Sequence, residues 1–85
     1  MWYIYLLQNK HGEWYTGATH DLQKRILEHN SGKNRSTKYG GPWKFVYCEI
    51  SLNKEDAFAR EKYLKSGMGK KYLKNRLKFF FAKGF

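Results

Sequence analysis

Trp2 to Leu7 (WYIYLL), Asn9 to Gly12 (NKHG) and Glu13 to Gly17 (EWYTG) decide the fold of this chain. The first stretch is an unbroken aromatic and aliphatic run, the pattern of a buried strand. The second is turn chemistry, so the third reads as the returning strand of a hairpin. Beyond the hairpin, Thr19 can cap a helix from about His20 to Asn30, which Ser31 and Gly32 stop. Lys33 to Pro42 is polar, basic and Gly-rich, hence a loop, and Trp43 to Ile50 (WKFVYCEI) is a third strand. A second helix begins near Asn53, with Glu55 and Asp56 suited to its dipole, and ends at Ser66-Gly67. A third runs from Met68 to about Phe80. The order β-β-α-β-α-α predicts an α+β fold, a three-stranded antiparallel sheet packed with helices.

Eighty-five residues allow one small domain, which buries only about 60–65% of its unfolded surface. We expect a core over about 2–77 and a basic, Phe-rich end at 78–85, with Phe79, Phe80, Phe81 and Phe85 folding back onto the core. The net charge of +10 points to a polyanionic partner, while 41% hydrophobic and 19% aromatic residues exclude a disordered basic tail. Residues 43–85 carry eleven Lys/Arg and four acids, net +7, and Glu61 is the last acid in the chain. Cys48 alone excludes an internal disulfide, and three scattered His residues give no zinc spacing. No apolar run has transmembrane length and no signal peptide is visible, so the expectation is a cytoplasmic protein without a membrane partner.

Some residues break local rules, which is where function is expected. In the first helix Leu22, Arg25, Ile26 and His29 share one stripe, setting a cation and an imidazole among aliphatics. In the second, Glu61 falls on the stripe of Ala57, Phe58 and Leu64. A carboxylate there must be paired, metal-bound or at the edge of a cleft. The bland alternative is a structural ion pair with Arg25 or Arg60.

Together these residues resemble the GIY-YIG nuclease superfamily. The name motifs stand here as Tyr3-Ile4-Tyr5 and Tyr15-Thr16-Gly17, followed by Arg25, His29, Glu61 and Asn75 at family-like spacings. The nearest likeness is to small single-domain members related to the excinuclease nuclease domain, from Trp2 to about Leu77. Tyr3 stands where the name has Gly, Thr16 where it has Ile, and Ala18 where excinuclease-type members usually carry Lys.

The resemblance implies hydrolysis of DNA phosphodiesters with one divalent metal and a water nucleophile. Tyr5 would be the general base or positioner of the water, with Tyr15 beside it on the sheet. Arg25 would bind the scissile phosphate, His29 assist proton transfer, Glu61 ligate the metal and Asn75 support the site. Tyr39 matches a less regular active-site position. The chemistry suits these roles. A guanidinium forks onto a phosphate, and one carboxylate with open positions suits Mg²⁺ or Mn²⁺. A tyrosine of ordinary pKa is only ~0.1% ionised at pH 7, so Tyr5 as a base would need Arg25 or the metal to lower that value.

Lys70, Lys71, Lys74 and Lys78 form a basic side of the third helix, opposite an apolar side of Met68, Tyr72, Leu73 and Leu77. These lysines, with Lys33, Arg35, Lys38 and Tyr39 of the loop, are the expected DNA contacts. The expectation is thus a metal-dependent DNA endonuclease, structure-directed or weakly sequence-specific, in DNA repair or recombination. Its partner is DNA, with a separate recognition protein to supply specificity; the protein itself would be a monomer or weak homodimer. The alternative is a non-catalytic nucleic-acid-binding protein on the same fold.

Overall fold

The computed structural model describes residues 1–34 and 37–83; Arg35 of the expected DNA contacts and Phe85 of the aromatic end lie outside the described residues. β1 (Trp2–Gln8) is the middle strand of a three-stranded sheet of order β2-β1-β3. β2 (Trp14–Thr19) and β3 (Lys44–Ser51) both pair with it antiparallel. The central position explains the unbroken apolar run, because both faces of β1 are covered. Ile4, Tyr5, Leu6 and Leu7 are each at most 1% exposed.

Alternation along β1 divides its side chains between two layers. Ile4 and Leu6 pack with Ala57, Leu64 and Leu73, flanked by Trp14, Val46, Tyr47, Tyr72, Leu77 and Phe81. The helical members of this layer come from α2 (Lys54–Lys65), α3 (Gly67–Arg76) and α4 (Lys78–Ala82). Tyr5 and Leu7 pack on the other side with Trp43, Tyr15, Leu22 and Ile26, under α1 (Leu22–Asn30).

The structure departs from the sequence expectations in several places. Asp21, not Thr19, caps α1: its side chain accepts from the Lys24 N–H at 3.1 Å. Thr19 instead stays in β2 and its hydroxyl accepts from the Asp21 N–H at 3.1 Å, closing the turn before the helix. The expected third helix is broken at Leu77, whose φ of −111° and ψ of 25° end α3 before α4 begins. The break turns Phe81 back onto Trp14, ring on ring at 5.2 Å, so this part of the aromatic end does fold onto the core. Phe79 remains largely exposed. Met68, expected on the apolar side of α3, is 73% exposed, because the close turn from α2 leaves it outside the packed stripe.

That turn depends on two small residues. The Ser66 hydroxyl accepts from the Gly69 N–H at 3.1 Å and donates to the Tyr63 carbonyl at 2.6 Å. A Cβ at Gly69 would collide with the Tyr63 carbonyl and lie 2.5 Å from Leu64 Cα, so only glycine allows the approach. On the opposite face the loop before β3 is tied down by side chains. Asn30 accepts from the Trp43 N–H at 2.7 Å and donates to its carbonyl at 3.2 Å. Asn9, fully buried, accepts from the N–H groups of His11 and Glu13 and donates to the Gly40 carbonyl at 2.9 Å. The hairpin turn and the basic loop are thereby held together.

Candidate active site

Tyr5 points from β1 to the α1 side, and its hydroxyl is the centre of the site. His29 Nε2 lies 2.9 Å from it, and Arg25 Nε donates to it at 3.3 Å. The one-turn spacing of Arg25 and His29 along α1 puts both groups on the same oxygen. His29 Nδ1 is 2.7 Å from the hydroxyl of Thr37, and both residues are 1% exposed. Tyr15 completes the cluster from β2, its ring 4.7 Å from the His29 ring and 6.4 Å from that of Tyr5. Gly17 is part of the geometry. A Cβ there would collide with the Tyr5 hydroxyl and lie 2.6 Å from its Cζ, so the second motif must end in glycine for Tyr5 to cross β2.

Burial sets the protonation of these groups. It raises the Tyr5 pKa; the hydrogen bond from Arg25 pulls it back, and the net value is about 12. Arg25 therefore does not by itself bring Tyr5 within reach of ionisation, contrary to the expectation that its proximity could suffice. Burial, aided by the Arg25 charge, pushes His29 down to about 4, so its imidazole is neutral at pH 7. With the ring proton on Nδ1, His29 donates to Thr37 and accepts the Tyr5 hydroxyl proton at Nε2. Arg25 also meets Glu28 at 3.4 Å across a half-exposed pair, and both line a cleft with Thr19, His20, Asp21 and Lys24.

Glu61 pairs with neither Arg25 nor Arg60. Its carboxylate meets Lys65 Nζ at 2.9 Å, one helical turn on. Arg60 is taken by Glu49 of β3 through two hydrogen bonds of 2.8 and 2.9 Å. Glu61 stays within electrostatic reach of Tyr5, where its charge adds to the upward shift. No group of three His, Cys, Asp or Glu side chains gathers among the described residues. The oxygen that Glu61 offers is a hard carboxylate donor, which suits a cation that keeps most of its waters. Asn75 is exposed in the last turn of α3 and makes no hydrogen bond to the other five candidates.

The expected DNA contacts are scattered over the surface. Lys70, Lys71, Lys74 and Lys78 are all exposed. Lys33 lines a cleft with Lys24, Leu27, Glu28 and Ser31. Tyr39 is 90% exposed, with Lys38 Nζ 5.4 Å from its ring centre, and it is no part of the Tyr5–His29 cluster. Thr37 is the residue that sequence reasoning missed. A threonine in a polar loop carries no pattern, and only its burial and its bond to His29 mark it.

Residues 1–75 match the family model of the GIY-YIG catalytic domain. A UPF0213 protein of Clostridium perfringens is 46% identical over 74% of this chain and 69% of its own length. One of Staphylococcus saprophyticus is 40% identical over 85% of this chain and 89% of its own. The solution NMR structure of a UPF0213 protein from Bacillus halodurans superposes with a TM-score of 0.53 at 39% identity, covering 86% of this chain and 82% of the other. No helix among the described residues is long and apolar enough to cross a membrane. The family match and the relatives agree: this chain belongs to the GIY-YIG family, a nuclease-type family, and over most of its length is similar to small UPF0213 members.

Proposed function

We propose that this protein is a divalent-metal-dependent endonuclease that hydrolyses DNA phosphodiester bonds, structure-directed or weakly sequence-specific. The observation that carries the reading is one hydroxyl, that of Tyr5, shared between a guanidinium and a neutral imidazole. A phosphodiester resists hydroxide because its charge repels the nucleophile. A hydrolytic site therefore needs positive charge at the phosphate and a path for the proton of the attacking water.

Arg25 supplies the first, its fork meeting phosphate oxygens as Glu28 gives way. The second is the relay Tyr5–His29–Thr37. As water attacks, Tyr5 Oη takes its proton and passes its own hydroxyl proton to His29 Nε2. Tyr5 thus acts as a base without becoming a free phenolate, which its pKa of about 12 makes scarce at neutral pH. The imidazolium so formed is disfavoured by burial and by Arg25, and the negative charge growing on the phosphate oxygens offsets that cost. Thr37 keeps the ring oriented, and Tyr15 walls the site. Glu61 would hold Mg²⁺ or Mn²⁺, which when bound neutralises phosphate charge and acidifies its own water. Lys65 must then leave the carboxylate, a small cost for a half-exposed pair.

The test is cleavage of branched, flapped, single-stranded and linear duplex DNA with Mg²⁺, Mn²⁺ or EDTA, with Glu61→Ala purified in parallel. Product that needs metal and vanishes in the variant supports the reading, and the preferred branch names the substrate class. Binding without product on every substrate would overturn it in favour of the non-catalytic binder.

A further inference from the structure

Two shallow clefts meet along the outer edge of β2. One is lined by Trp14, Tyr15, Thr16, Lys65 and Lys70, the other by Gly12, Trp14, Lys70 and Lys74. They share Trp14 and Lys70, so they form one groove that starts at Tyr15 and ends at the hairpin turn. Three ammonium groups line it, those of Lys70 and Lys74 and that of Lys65, which is shared with Glu61 at 2.9 Å. Lys70 and Lys74 stand one turn apart on α3 and are neighbours on its surface. Trp14, held flat against Phe81 at 5.2 Å, supplies an aromatic wall between the cations. β2 is an edge strand, so no other strand covers this side of the sheet.

We propose that this groove carries a single nucleic-acid strand away from the scissile phosphate, from Tyr15 past Trp14 to Gly12. Lys70 and Lys74 neutralise successive phosphates of the strand. Trp14 gives a sugar or base an aromatic surface, the combination by which single strands are bound without sequence preference. The assignment rests on the nucleic-acid reading above and divides the basic side of α3. Lys70 and Lys74 touch the strand, whereas Lys71 and Lys78, which do not line the groove, contribute only to the general field.

The experiment is anisotropy of a short fluorescein-labelled single-stranded DNA in EDTA, where nothing is cut, across a range of salt. Lys70→Ala and Lys74→Ala should each flatten the log–log salt dependence by about 0.7, the value for one phosphate contact on a single strand. The double variant should lose twice that, and Lys71→Ala much less. Intrinsic fluorescence should be quenched on binding in wild type and in Trp2→Phe, but not in Trp14→Phe, which keeps an aromatic ring against Phe81. Equal slopes for Lys70→Ala, Lys74→Ala and Lys71→Ala, with quenching that survives Trp14→Phe, would overturn the groove and leave the nucleic-acid reading standing. No binding by wild type at low salt would overturn both.

Discussion

The two sides of β1 are buried equally and built differently. Ile4 and Leu6 look toward α2 and α3, where Ala57, Leu64 and Leu73 meet them with methyl and methylene groups. Tyr5, one residue away, looks toward α1 and finds Arg25, His29 and, through the imidazole, Thr37. The first side is held by the transfer of apolar surface from water. The second retains polar groups that burial penalises, and each is tolerated because its partner is in place. One strand thus separates stability from chemistry by the parity of its residues.

The sharpest way to test that separation is to damage each side in turn. Leu73→Ala leaves a cavity under β1 and should cost about 2–5 kcal/mol in urea unfolding, the range for a buried leucine. Cleavage per folded molecule should be unchanged. Arg25→Ala should do the reverse: a rate loss of about 10²–10³, as when one preorganised donor is removed from a transition state. The cost to stability should be no more than about 1 kcal/mol, since only its bond to the Tyr5 hydroxyl and a half-exposed ion pair are lost. If Leu73→Ala lowered specific activity as far as Arg25→Ala does, the division between the faces would fail.

A smaller effect comes from His29 and pH. Its pKa is about 4 in the folded protein against 6.5 in an unfolded chain, so between these values the unfolded state binds the extra proton. The stabilising contribution is fully present above pH 6.5 and is lost as pH falls from 6.5 toward 4, by at most about 1.4 kcal/mol per pH unit. His29→Gln cannot titrate. The stability gap between wild type and this variant should be level above pH 7 and narrow on acidification. A gap independent of pH from 7.5 to 4.5 would mean that the buried imidazole is not held neutral.

How much of the molecule is legible in the sequence follows from the same contrast. WYIYLL announces a doubly covered strand, and Leu22, Arg25, Ile26 and His29 announce one helical stripe, because both are patterns of period and polarity. Asn53 and Ser66 are visible as helix punctuation for a similar reason: capping is local. What escapes is whatever depends on a partner distant in the chain. Thr37 matters only because α1 brings His29 to it. The break at Leu77 exists because Phe81 has Trp14 to pack against, and no Gly or Pro marks the place. The partner of Glu61 escapes for a different reason. Lys65 is in the right register, but Arg25 and Arg60 are equally available cations on sequence alone. Arg60 is drawn away by Glu49 on β3, which only the fold brings near.

The smallest prediction concerns a flaw on the apolar side. By strand parity Gln8 lies with Ile4 and Leu6, opposite Trp14 on the neighbouring strand. It is 8% exposed, and its Oε1 is the one buried side-chain oxygen or nitrogen among the described residues that lacks a hydrogen-bond partner. Desolvating an acceptor without satisfying it costs free energy that an apolar side chain of similar length would not lose. Gln8→Met should therefore raise the urea midpoint with an unchanged slope, a gain of about 1 kcal/mol in unfolding free energy. The same logic gives the opposite sign across the strand. There the Tyr5–His29–Thr37 relay is paired at each step, and Thr37→Val, nearly the same shape, should destabilise by leaving His29 Nδ1 without its partner. Stabilisation by Thr37→Val, or destabilisation by Gln8→Met, would show that packing rather than hydrogen-bond pairing decides which polar atoms this small core tolerates.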